Sequence, residues 1–255
     1  IKKNKKNLTS IIIRTKNEEK GIDICLQKIF MQKKILFEVI IIDNCSSDKT
    51  VDKAKRYPIK IFKIKKFYPG KAINLGVSKS KGKYIVCLSA HCIPESDLWL
   101  FNLVRDLKNK RIAAVYGKQR PLPYSSSFDK RDLYNTFGDD KRIQIKDTFF
   151  HNANSAFRKE VWEKNKFDEH TPHIEDRIWA NSIINKNLKI IYEPKASVFH
   201  WHGINHNMNK ERCDKIVNIL EGINIQNSSR DVHNLNNLNI VAIIPVKGES
   251  ISLNK

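Results

Sequence analysis

T-S-I-I-I-R-T-K-N-E-E, residues 9–19, turns from a β-branched run into a polar loop. The apolar residues Ile22, Leu26, Ile29 and Phe30 then recur at helical spacing. Strand, loop, helix is the first unit. The next begins at residues 37–42, a continuous apolar run ending in Asp43, after which Ser47-Asp48-Lys49-Thr50 offers an N-cap to a helix through Arg56. Residues 59–64, 83–88 and 112–116 read as further strands, and residues 71–79 and 95–107 as the helices between them. The pattern predicts an α/β fold, a mostly parallel sheet covered by helices on both faces. Ligands of such sheets sit beyond the carboxyl ends of the strands, so residues 15–18, 43–47, 65–70 and 89–94 are where function is expected.

The chain has 255 residues, and 40% of them are hydrophobic, too many for a disordered polyelectrolyte despite a net charge of +20. The 47 basic residues are 36 Lys and 11 Arg, spread along the chain. Compositional drift accounts for such a surplus; a Lys-rich face also attracts anionic lipid headgroups or nucleotide phosphates. Nucleic acid is not an expected partner, because the aromatic residues lie inside apolar runs and no helix-turn-helix or RNP-like segment occurs. No apolar run approaches the roughly 18–20 residues needed to span a bilayer. Five cysteines without a C-x-x-C pair exclude a zinc finger or a disulfide scaffold, which points to a reducing, cytoplasmic setting. A first residue of Ile rather than Met, with a Lys/Asn-rich start, reads as a piece of a longer chain.

Beyond residue 117 the pattern becomes less regular. Pro121, Pro123 and the serines at 125–127 break the chain, a helix is expected at 174–184, and strands at 189–192 and 196–200. The Asn-rich residues 223–239 read as a linker.

Six segments in order resemble a family 2 glycosyltransferase with the GT-A fold. They are S-I-I-I-R-T-K-N-E-E (10–19), I-I-I-D-N-C-S-S-D-K-T (40–50), G-K-A-I-N-L-G (70–76), L-S-A-H-C-I-P (88–94), N-A-N-S-A-F-R (152–158) and I-E-D-R-I-W-A (174–180). The resemblance implies one transferase domain at residues 1–222, with a nucleotide-binding half at about 8–117 and a smaller acceptor-side half at about 118–222. It implies transfer of a sugar from a nucleotide-sugar donor to a glycan or lipid-linked acceptor, with inversion, in surface polysaccharide biosynthesis. The expected place is the cytoplasm, where a basic surface is open to peripheral contact with the inner face of the membrane. Residues 240–255, I-V-A-I-I-P-V-K-G-E-S-I-S-L-N-K, resemble the start of a CMP-sugar cytidylyltransferase, a second domain cut short.

On this resemblance Thr15, Asn17, Glu18 and Asp43 line the donor nucleoside, and Lys71 meets its diphosphate. A strand-end carboxylate suits an imide N–H or a ribose hydroxyl, although Asp43 can equally be a turn residue and Lys71 a solvated one. The family's Asp-x-Asp metal motif is replaced by Ser89-Ala90-His91. His91 with His200 and His202 forms the expected metal set, compensating for the lost carboxylates; imidazole favours Mn²⁺ over Mg²⁺. The bland reading of H-W-H at 200–202 is a surface turn. Asp176, with Glu175 as substitute, is the expected general base, although a helix-start carboxylate needs no such role. Asn152 and Asn154 are expected at the acceptor or sugar, with Trp179 and Trp201 either stacking on a sugar or packing in the core. Two other readings stay open, a nucleotidyltransferase and a non-catalytic binding module of the same fold. Against the first, residues 15–18 are not Gly-rich; for the second, the Asp-x-Asp motif is missing.

Overall fold

A computed structural model describes residues 8–228 apart from 205, 207 and 208, with backbone alone for 223–228. β1 (Thr9–Thr15), β2 (Phe37–Asp43), β3 (Lys60–Lys63) and β4 (Tyr84–Ser89) are parallel, in the order β3-β2-β1-β4. Their side chains alternate between two cores, as a doubly covered sheet requires. Ile11, Ile13, Val39, Ile41, Val86 and Leu88 pack under α1 (Ile22–Phe30) and α4 (Trp99–Val104). Ile12, Ile40, Ile42, Ile85 and Cys87 pack under α3 (Pro69–Ser78) and α7 (Glu175–Ile184). Gly70 lets α3 reach the chain at 168, since a Cβ there would lie 1.8 Å from the Asp168 carbonyl oxygen. The short α2 (Thr50–Ala54) follows β2.

The other half of the sheet differs from the expected mostly parallel order. β8 (Asn154–Arg158) runs antiparallel between β4 and β6 (Ile112–Pro121). The predicted strands at 189–192 and 196–200 are one strand, β9 (Lys189–His200), parallel to β6 with a register shift between Gly117 and Gln119. Glu193 and Pro194 look like a break in sequence, but the bulge accommodates them. β5 (Ile93–Pro94) and β7 (Arg142–Gln144) pair antiparallel with β9, completing nine strands. α5 (Ser127–Thr136) and α6 (Lys159–Lys164) fill the connections.

The antiparallel strand matters for function. Because β8 is reversed, its amino end lies at the sheet edge where the parallel strands end, with Asn154 opposite Leu88. The last helix among the described residues, α8, spans Lys210–Ser228, so the first six residues of the expected linker are helical. Residues up to Ile216 form one compact unit; of the following unit, Val217–Lys255, the described residues are the rest of α8. The expected second domain at 240–255 lies outside the described residues.

Candidate active site

The loops after β1 and β2 are laced together. The Asn17 N–H donates to Ser46 Oγ at 2.9 Å, and the Ser47 N–H donates to Asn17 Oδ1 at 2.9 Å. Asn17 holds φ 54°, a left-handed conformation that Asn tolerates well. Asp43 is fully buried and accepts the Ser46 N–H at 3.1 Å and the Ser46 hydroxyl at 2.6 Å. Its carboxylate therefore caps its own loop. Thr15 is buried at the end of β1, its hydroxyl without a hydrogen-bond partner. Lys71 lines a groove of about 300 Å³ with Asn74, Leu75, Trp162, Lys166 and Glu169, none of which is an expected donor residue.

Three expected metal residues from distant parts of the chain meet. His91 follows β4, His200 ends β9, and His202 lies two residues on. His91 Nε2 and His200 Nε2 are 3.1 Å apart, and the three imidazoles each offer a nitrogen within 4.8 Å of the others. The alternation expected for an extended chain brings His200 and His202 to one side, with ring centroids 4.4 Å apart, while Trp201 stands 57% exposed. Burial first, and then the neighbouring His91, holds His200 well below the usual histidine range; His202 is lowered by the same causes. Both rings are accordingly neutral with lone pairs available to a cation. His200 Nδ1 is buried with no partner, which leaves its Nε2 as the working nitrogen. The donor set fits a divalent transition ion.

His151 and His206 extend the cluster. Gln119 Nε2 donates to His151 Nδ1 at 2.9 Å, and burial, then the Arg177 charge, lowers His151 to about 3. His206 lies 3.8 Å from His202 between ring centroids and is lowered to about 3, by burial and then by His202.

The carboxylate pair opens α7, entered through Ile174 at φ 52°. Asn152 joins the pair: its N–H donates to Asp176 Oδ2 at 3.0 Å and its Nδ2 to Glu175 Oε1 at 3.3 Å. Arg14, at the end of β1, donates to the same Glu175 oxygen at 3.0 Å. Burial pushes both carboxyls up; for Glu175 the adjacent Asp176 charge adds to it, and Arg14 opposes it. Arg212 Nη1 donates to His173 Nδ1 at 3.1 Å, with its charge near both carboxylates. Arg14, His151 and Arg212 escaped the sequence reading. Arg14 reads as a strand residue, His151 stands beside the N-A-N motif rather than in it, and Arg212 follows the motifs altogether.

Two acceptor-side expectations fail on burial. Trp179 is 2% exposed, packs against Phe150, Phe157 and Phe167, and donates its indole N–H to the Asn165 carbonyl, so it is a core residue and no sugar face can reach it. Asn154 is fully buried: it accepts from Trp99 Nε1 at 2.9 Å and donates to the carbonyls of Ala196 and Lys118. Both amide hydrogens and the amide oxygen are thus used in tying β8 to β6, β9 and α4.

The histidine cluster and the buried carboxylate pair are both carried on segments that follow or face the ends of the parallel strands. Residues 10–165 match the model of glycosyl transferase family 2, and the chain belongs to that family. It is 31% identical over 179 residues to the O-antigen chain rhamnosyltransferase RfbN of Salmonella typhimurium, covering 65% of this chain and 57% of that one. It is 37% identical over 106 residues to a dolichyl N-acetyl-α-D-glucosaminyl phosphate glycuronosyltransferase of Methanococcus voltae, covering 38% and 33%. The chain thus spans only about a third to just over half of the curated relatives it matches. Among solved structures, the fold is shared with the mannosyltransferase PcManGT of Pyrobaculum calidifontis in complex with GDP-Man and Mn²⁺ (TM-score 0.61, 21% identity, 75% of this chain and 56% of that one). It is also shared with S. aureus TarS in complex with UDP-GlcNAc (TM-score 0.63, 15% identity, 79% and 60%). The expected GT-A architecture is therefore present.

Proposed function

We propose that this chain transfers a sugar from a nucleotide-sugar donor to a glycan or lipid-linked acceptor, with inversion, in the biosynthesis of a surface polysaccharide. The observation that carries the proposal is the convergence of His91, His200 and His202 with the Glu175–Asp176 pair at one sheet edge of a family 2 chain. The names of the relatives make a rhamnosyl donor the first to try.

In this reading the acceptor hydroxyl gives its proton to Asp176 as its oxygen bonds to the anomeric carbon, while the bond from that carbon to the diphosphate oxygen breaks. Asp176 is favoured over Glu175 because Arg14 holds Glu175 in an ion pair, while Asp176 accepts the backbone N–H groups of Asn152 and Arg177 and no ion pair holds it among the described residues. His91, His200 and His202 would hold a divalent cation, Mn²⁺ rather than Mg²⁺ with imidazole donors, and that cation would supply charge neutralisation at the departing diphosphate. Thr15 and Asn17 border the nucleoside side, with Asp43 fixing the loop after β2 that Asn17 joins. On the acceptor side, Tyr124 is 71% exposed and lies 6.2 Å between ring centroids from Trp201, which stands in sequence between His200 and His202.

No helix among the described residues is long and apolar enough to cross a membrane. Contact with a lipid-linked acceptor is proposed through the basic surface. The three-histidine cluster weighs against a non-catalytic module, which has no use for converging, neutral imidazoles. The test is release of nucleoside diphosphate from a panel of nucleotide-sugars with Mn²⁺ and a polysaccharide-type acceptor. Turnover that His91→Ala abolishes supports the reading; binding of donors without turnover for any acceptor returns the chain to the module.

A further inference from the structure

Glu18 stands in the loop expected to hold the nucleoside, yet its carboxylate is directed elsewhere. Glu18 Oε1 lies 2.7 Å from His91 Nδ1, and both side chains are 25% exposed. The backbone around it is committed on both sides. Its N–H donates to Thr50 Oγ1 at 2.7 Å, and its carbonyl accepts the N–H groups of Gly21 and Ile22 at the start of α1. Gly21 itself lies against His91, a Cβ there falling 3.3 Å from the His91 Cα. The loop backbone is therefore fixed at a place from which the Glu18 carboxylate reaches His91.

We infer that Glu18 belongs to the histidine centre, where it fixes the tautomer and ring orientation of His91 for a cation, rather than serving as a ligand of the nucleoside. The inference rests on the cation proposed above. A carboxylate can only accept, so the proton of a neutral His91 lies on Nδ1 and the lone pair on Nε2. That Nε2 faces His200 Nε2 at 3.1 Å. Two imidazole nitrogens so placed need a proton or a cation between them, and a His91 whose Nδ1 proton is held by Glu18 presents its Nε2 lone pair to that cation. A carboxylate behind a metal-binding histidine also raises the basicity of the ligand, and removing such a group typically weakens metal binding about 10–100-fold. The lost Asp-x-Asp charge thus returns one bond further out, behind an imidazole. Glu18 is a positioning residue in this arrangement.

The experiment uses the full chain with the metal alone as probe, Co²⁺ and Mn²⁺ by calorimetry, in wild type, Glu18→Gln and Glu18→Ala, with thermal unfolding as the check that each variant folds. Glu18→Ala is expected to bind Co²⁺ about 10–100-fold more weakly. Glu18→Gln, which still accepts from Nδ1 but without charge, falls between. In metal-free protein, long-range proton–nitrogen correlation should find His91 protonated on Nδ1 in wild type and mixed between tautomers in Glu18→Ala. UDP, GDP, dTDP and CDP binding in EDTA should be the same in all three proteins. A Co²⁺ affinity in Glu18→Ala within about twofold of wild type overturns the inference, and a simultaneous loss of nucleotide binding hands Glu18 back to the nucleoside. Wild-type protein that binds nucleotide but neither metal overturns the cation itself, and this assignment with it.

Discussion

Arg14, the penultimate residue of β1, and Glu175, the first residue of α7, are 161 residues apart in sequence and form an ion pair 3.0 Å long beneath the candidate site. Burial and the adjacent Asp176 charge raise Glu175, and Arg14 is the group that holds it down. Arg14→Met therefore pushes the pair further up. A carboxyl must be ionised to accept the acceptor's proton, so activity falls as pH drops through the raised value. The acid limb of kcat/KM should already lie above the ordinary carboxylate range in wild type and move to higher pH in Arg14→Met. Stability follows from linkage: a carboxyl raised by folding costs native stability once pH exceeds its unfolded value, so the variant's deficit relative to wild type grows as pH rises from the wild-type folded value to the variant's higher one and fades toward acid. Urea unfolding at several pH values measures it, and a pH-independent deficit refutes the assignment.

The histidine centre makes a second prediction. A cation at 100 times its Kd should add about 2.7 kcal/mol to the stability of the folded chain. Thermal unfolding with Mn²⁺ should therefore shift upward in wild type, reverse with EDTA, and not shift in His91→Ala or His200→Ala. His151→Ala should keep the shift, because His151 Nδ1 is engaged by Gln119. Equal shifts in all four proteins would place the metal elsewhere.

What the sequence disclosed and what it concealed divide along a physical line. β1 to β4 were legible because each is a short apolar run with its own loop and helix, local signals that need no partner. The reversal of β8 was not, since residues 154–158 carry no strand signal of their own in the pattern and only the pairing of Val86 with Ala156 and Cys87 with Ser155 makes them a central strand. The same holds in the site. His91, His200 and His202 could be grouped from motif order, whereas the Glu18–His91 contact depends on the loop at Gly21 lying so close to His91 that a Cβ there would fall 3.3 Å from the His91 Cα, which no spacing reveals. Trp179 and Trp201 are chemically identical in sequence; the aromatic cluster of α7 buries one, and the end of β9 exposes the other.

Asn154 separates a structural from a substrate role. Asn154→Ala leaves the Trp99 indole N–H and the Lys118 and Ala196 carbonyls without their partner in a buried position. At about 1–3 kcal/mol for each orphaned group, a loss of about 3 kcal/mol or more is expected in urea unfolding. Unchanged stability with a raised KM for acceptor would restore the sugar-contact role that its burial denies.

The exposed aromatic pair offers the acceptor a surface, and its two members allow a controlled test. Trp201 stands between His200 and His202, while Ser125, next to Tyr124, donates its hydroxyl to the Trp201 carbonyl at 2.5 Å. The two rings are 6.2 Å apart between centroids, so a sugar stacked on either would lie near the chain that carries His200 and His202. Losing one stacking contact of about 1.4 kcal/mol corresponds to about a tenfold change in binding. Tyr124→Ala and Trp201→Ala should each raise the KM for acceptor by about that factor, with donor affinity and Mn²⁺ binding unchanged. If Trp201→Ala weakens Mn²⁺ binding while Tyr124→Ala leaves the acceptor KM as it was, Trp201 acts by holding its neighbouring histidines in place and the acceptor lies on another surface.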